Sequence, residues 1–128
     1  MNITLLYAGL LALWFLALSY RVVQKRGHGI SLGDGGDAEM LRRIRGHGNF
    51  AEYVPFVLLM IGLLESSGSS PWLIHALGAT LLLARLLHGV ALSFTEKWSF
   101  GRFHGTLLTF ILLAVCGVLC LLQGVNNL

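Results

Sequence analysis

The chain has 128 residues, 55% of them hydrophobic and 12% charged, with a mean hydropathy of +0.75 and a formal net charge of +3. Soluble domains carry about 25% charged residues, and one small aqueous core could not bury this much apolar surface, so lipid must be the solvent for part of the chain. The basic excess is no nucleic-acid footprint, because the lysines and arginines gather at the ends of apolar segments, where they set membrane topology.

The first predicted helix covers about residues 3–21. Ile3 to Tyr20 holds no charge and is long enough to span a bilayer. Met1-Asn2 offers neither a basic n-region nor a small-residue cleavage pattern, so the segment reads as a retained helix and not a signal peptide. A glycine-rich connection follows, with Gly27, Gly29, Gly33, Gly35 and Gly36. Its Gly33-Asp34-Gly35-Gly36 stretch lacks the Gly-Lys-Ser/Thr ending of a phosphate loop and follows no strand, which argues against a nucleotide site.

The second helix is predicted over about 38–65, with Asp37 as its cap and Glu39 in its first turn. It is apolar from Phe50 to Leu64 except for Glu52. After Glu65-Ser66-Ser67-Gly68-Ser69-Ser70-Pro71, a third helix over about 72–94 carries His75, Arg85 and His88. A short connection with Lys97 leads to the fourth, about 102–123. Cys116 and Cys120 lie on one face of that helix with no histidine or carboxylate nearby, and read as core residues and not as a metal or redox pair. Gly101 and Gly105 form a small-xxx-small step, suited to close helix packing or to leaving room for a ligand. Glu39 and Glu65 read as solvated helix-end charges, and His75 as an interfacial residue.

Arg21, Lys25, Arg26, Arg42, Arg43, Arg45, Lys97 and Arg102 all flank the first and third connections, while the second has no lysine or arginine. That asymmetry places those two connections in the cytoplasm and both termini on the other side. The fold class expected is therefore all-α, one four-transmembrane-helix bundle over 1–128.

Ionisable groups inside spans are costly and point to function. With a rise of about 1.5 Å per residue, Glu52 lies about 20 Å from the outer end of its helix and Arg85 about 21 Å from the outer end of the next. Asn49 and His88 match in the same way, as do Arg45 and Arg102. Residues 45, 49 and 52 share a helix face, as do Arg85 and His88. The expectation is a Glu52–Arg85 pair, leaving Arg45, Arg102 and Arg21 as a basic funnel with Arg42 and Arg43 at its mouth or serving topology alone. A cationic pocket open to the cytoplasm suits an anionic ligand, and arginine's planar fork suits carboxylates.

The stretch Arg42-Arg43-Ile44-Arg45-Gly46-His47-Gly48-Asn49-Phe50-Ala51-Glu52-Tyr53-Val54-Pro55 resembles the Arg-x-x-x-Asn-x-x-Glu-x-x-Pro signature of the MAPEG proteins (membrane-associated proteins in eicosanoid and glutathione metabolism). Arg85-Leu86-Leu87-His88 is similar to the family's Arg-x-x-His, and Arg102 before Gly105 to its arginine at the start of the fourth helix. The resemblance, to a bacterial-type member, covers essentially the whole chain. It implies a homotrimer in a bacterial inner membrane, binding glutathione as co-substrate between neighbouring subunits at the cytoplasmic face. It also implies that Arg45, Asn49, Glu52, Arg85, His88 and Arg21 bind glutathione and that Arg102 stands by its sulfur as the catalytic residue. The activity implied is a glutathione-dependent transferase or peroxidase acting on a lipophilic second substrate. Three positions depart from catalytic relatives: Phe103 replaces a frequent serine, and Leu92 and Thr106 stand where tyrosines are expected. Two alternatives follow, a non-catalytic lipid-binding or scaffold member and a small multidrug transporter. The transporter reading is disfavoured because its membrane glutamate would stand alone, whereas here the excess charge is positive.

Overall fold

The computed structural model describes Met1–Leu128 as four helices: α1 (Asn2–Arg26), α2 (Ala38–Ser66), α3 (Pro71–Ser93) and α4 (Ser99–Asn126). All four are long and apolar enough to cross a membrane. The α3 helix packs against each of the others; α2 also meets α1 and α4, whereas α1 and α4 do not touch. Between the helices lies an apolar core including Leu11, Leu18, Val57, Ile61, Ile74 and Leu81. Pro71 opens α3 at a position where a missing N–H costs nothing. The α2 helix continues through Pro55 without a break. Helices α1 and α4 extend further than the uncharged stretches suggest, because the side chains at their ends find polar partners.

At the outer end, Glu65 accepts hydrogen bonds from the Ile3 amide at 3.0 Å and the Thr4 amide at 2.8 Å. It also accepts one from the Thr4 hydroxyl and lies 3.5 Å from the terminal amine. The first-turn amides of a helix have no partner within it, so a carboxylate from α2 caps α1. This corrects the expectation of a solvated Glu65. His75 Nδ1 lies 3.2 Å from the Tyr7 hydroxyl, which joins α3 to α1.

At the opposite end the ties are ionic. Lys25 lies 3.5 Å from Asp37 and 3.1 Å from Glu39. Buried Arg43 pairs with Glu39 and donates to the Arg21 carbonyl at 2.7 Å. Glu39 and Arg43 therefore fasten α1 to α2, a structural task that charge counting along the chain did not reveal. Asp37 caps α2 as expected, accepting from the Met40 amide at 2.8 Å.

The Gly101–Gly105 step resolves to close packing. A Cβ at Gly105 would lie 2.7 Å from both the Ala84 carbonyl oxygen and the His88 Cβ, and one at Gly101 would lie 2.9 Å from the Leu87 carbonyl oxygen. The α4 backbone thus rests on that of α3; at Gly105 the obstruction is mostly α3 main chain, while at Gly101 the Trp98 ring lies nearer than the α3 carbonyl.

Gly105→Ala should destabilise the protein by about 1–3 kcal/mol through overpacking, read as a lower midpoint of thermal unfolding in detergent. Gly117→Ala, which meets nothing within 4 Å, should be neutral or slightly stabilising. The Asp37 carboxyl is held below the usual carboxylate range, chiefly by the Met40 amide and further by Lys25. Its contribution is therefore present above its unfolded pKa and is lost as pH falls through the lower folded one. Hydrogen exchange should show the first turn of α2 opening in acid, and Asp37→Asn should flatten that dependence.

Candidate functional site

The signature residues of α2 divide between two directions. At about 100° per residue, Arg45 and Glu52 differ by only about 20° around the helix, while Asn49 is turned some 40–60° from each. Asn49 consequently faces α3, and Arg45 and Glu52 face outward. The latter two are 52% and 54% exposed and lie 3.5 Å apart, paired with each other.

Behind them sits Arg85, which is 1% exposed. Its guanidinium donates to Asn49 Oδ1 at 2.8 Å and to Thr109 Oγ1 at 3.3 Å. It also lies 3.2 Å from His88 Nδ1. A guanidinium can only donate, so Nδ1 accepts and the ring proton belongs on Nε2. The Phe50 ring lies 5.9 Å from the Arg85 guanidinium carbon, and Arg85 Nε has no partner. The expected Glu52–Arg85 pair does not form within the chain. Asn49, three residues before Glu52 on α2, takes the place beside the Arg85 guanidinium. Thr109 escaped the sequence reading. Its signal was its register, four residues beyond Gly105 on the face that packs against α3.

Arg21 and Arg102 occupy neighbouring clefts. Arg21 donates to the Ser93 carbonyl at 2.6 Å and lies 4.4 Å from the centre of the Phe94 ring. It thereby satisfies a carbonyl at the open end of α3. Arg102 is exposed, pairs with no carboxylate of its own chain, and lines a cleft of about 250 Å³ with Arg42, Glu96, Lys97 and Trp98. A second cleft of about 220 Å³, lined by Arg21, adjoins it through Arg42, Leu92 and Glu96. The structure thus brings Asn49, Arg85 and His88 together, places Arg21 and Arg102 on adjoining clefts, and turns Arg45 and Glu52 to another surface. Among the departures, Leu92 is a buried wall of both clefts, the Thr106 hydroxyl donates to the Arg102 carbonyl at 2.9 Å, and Phe103 is exposed.

The sequence profile described as the MAPEG family matches residues 4–122. The chain belongs to the MAPEG family. Inner membrane protein YecN of Escherichia coli strain K12 is 38% identical over 87 residues, which make up 67% of this chain and 66% of that relative. The protein of the same name from Escherichia coli O6:H1 strain CFT073 gives the same figures. The match therefore spans just under two thirds of these relatives' own length. No solved structure matches the chain. With four candidate spans and relatives named as inner membrane proteins, this MAPEG member is an integral, multi-pass membrane protein.

Asn49→Leu should cost about 1–3 kcal/mol in this MAPEG protein, since it leaves a buried charged donor without its best acceptor. Thermal unfolding in detergent measures the loss. Combining it with Arg85→Met, which removes the buried charge, should recover part of the stability; a double variant weaker than the sum of its parts contradicts the network.

Proposed function

We propose that this MAPEG protein is a glutathione-dependent transferase or peroxidase for lipophilic electrophiles or lipid hydroperoxides, working as a homotrimer with its site between subunits at the cytoplasmic face. The observation that carries this reading is the Arg45–Glu52 pair, more than half exposed on α2 within a candidate span. Ionised groups cannot stand uncovered against hydrocarbon without large cost, so another surface must cover them. A second copy of the chain supplies one, and brings an unpaired Arg102 with it.

Glutathione fits such a junction. It has two carboxylates for guanidiniums and one ammonium for Glu52. Asn49 engages Arg85 through its carbonyl oxygen, and its amide group is left to donate to the ligand. Arg85 and His88, bonded behind Asn49, fix its orientation. Arg21 adds positive charge at the end of α1.

The chemistry follows from the thiol. A free thiol has a pKa of about 8.5, and a neighbouring cation lowers it, raising the thiolate fraction at neutral pH. Arg102 is the group proposed to stabilise the thiolate. The sulfur then attacks an electrophilic carbon, forming a C–S bond as the leaving group departs with its electron pair. With a hydroperoxide it attacks the outer oxygen; the O–O bond breaks and the lipid alcohol leaves after protonation, and the thiol of a second glutathione then attacks the sulfenic sulfur, forming the disulfide as the S–O bond breaks and water departs.

A non-catalytic, lipid-binding role is the second reading. It is favoured by Phe103, a 63% exposed apolar side chain beside Arg102. The two readings part on turnover: conjugation of a model electrophile supports the first, and glutathione binding without any conjugate supports the second.

Arg45→Ala should weaken glutathione binding about 10–100-fold, the worth of a charged hydrogen bond, measured by titration calorimetry in detergent. Arg102→Ala should keep binding within a few-fold and lose most conjugation. Full conjugation by a folded Arg102→Ala variant would sink the assignment.

A further inference from the structure

The two adjoining clefts where the third connection meets α1 and α2 hold more positive charge than the helix ties use. Arg21, Arg42, Lys97 and Arg102 line them, against Glu39 and Glu96. Glu39 is already held by Lys25 and Arg43, neither of which lines a cleft. Glu96 is 80% exposed and reaches Arg42 only at 4.0 Å. Three side-chain groups lie behind these walls without a partner: Arg21 Nε, Arg42 Nε and the hydroxyl of Ser93, a residue 3% exposed. A recess whose guanidinium and ammonium groups outnumber its carboxylates points to a ligand rich in acceptor oxygens.

The surroundings indicate where that ligand comes from. Phe94, Trp98 and Phe100 are exposed beside the recess, the arrangement of aromatic side chains found at headgroup depth. Basic recesses between helices at this level hold anionic lipid headgroups, and phosphate oxygens accept from guanidinium, ammonium and hydroxyl alike. We infer that the recess formed by Arg42, Lys97 and Trp98 seats the phosphate of an anionic phospholipid, its acyl chains passing the exposed aromatics into the bilayer. The recess is distinct from the Arg45–Glu52 face; Arg21 and Arg102, which the proposed glutathione site also uses, stand in its walls, whereas Arg42 and Lys97 belong to the recess alone. Arg42 and Lys97 reach the phosphate directly, and Glu96 opposes it.

The test uses the purified full chain in detergent doped with phosphatidylglycerol or phosphatidylcholine, with retained lipid counted by native mass spectrometry. Wild type should retain phosphatidylglycerol in preference to phosphatidylcholine, and R42A/K97A should bind it about 30-fold more weakly, each basic residue near the surface contributing roughly a fivefold change. Equal retention of the two lipids by wild type, or equal retention of phosphatidylglycerol by wild type and the double variant, overturns the inference. Inorganic phosphate displacing the lipid at comparable concentration overturns the lipid as the source and leaves a free-phosphate site. Should the double variant not fold, Glu96→Gln decides. It removes the opposing carboxylate and should tighten phosphatidylglycerol retention several-fold; unchanged or weaker retention rejects the seat.

Discussion

A guanidinium enclosed within the helix bundle, with no carboxylate of its own chain beside it, is the constraint around which this structure is organised. Burying an unpaired charge is tolerable only where oriented dipoles replace water. Arg85 recruits one such group from α2, one from α4 and one from its own helix: Asn49, Thr109 and His88. Those bonds fix the rotation of α2 about its axis. With Asn49 committed inward, Arg45 and Glu52, turned about 40–60° from it, fall at the edge of that face and stand more than half exposed. The exposure of the ion pair is thus the geometric counterpart of the arginine's burial.

Polar contacts elsewhere serve mainly to close helix ends in a solvent that cannot. Glu65 accepts the first amides of α1, and Arg21 satisfies a carbonyl at the end of α3. Lys25, Glu39 and Arg43 then fasten α1 to α2 across a long glycine-rich connection. The positive charges that orient the chain in the membrane are in this way also its fastenings. Of the basic residues at this end, Arg42, Lys97 and Arg102 stand largely outside these ties.

Much of the fold was legible in the sequence, because hydropathy and length govern where a helix can cross lipid, and an Asp before a helical run marks a cap. The neighbourhood of Arg85 and His88 was legible from their shared face and Asn49 from its match with His88, but the partner expected beside Arg85 was Glu52. What escaped depended on azimuth. Depth along an axis places Glu52 level with Arg85, but only the packing of α2 against α3 decides which of Asn49 and Glu52 turns inward. Thr109 was hidden for the same reason, as a hydroxyl in an apolar run is marked only by its register with Gly105 until its neighbours are known. Glu65 and Glu39 look like ordinary terminal charges in a linear reading, since their partners, Thr4 and Lys25, lie on other helices.

The bare contact between the α3 and α4 backbones has a mechanical corollary. Two rods touching main chain to main chain have little slack, so Arg102 on α4 moves together with His88 on α3, and its distance to the buried network is stiff. Helices α1 and α4 flank the α2–α3 pair from opposite sides and share no contact, so each leaves an outer face that lipid or a neighbouring subunit must cover.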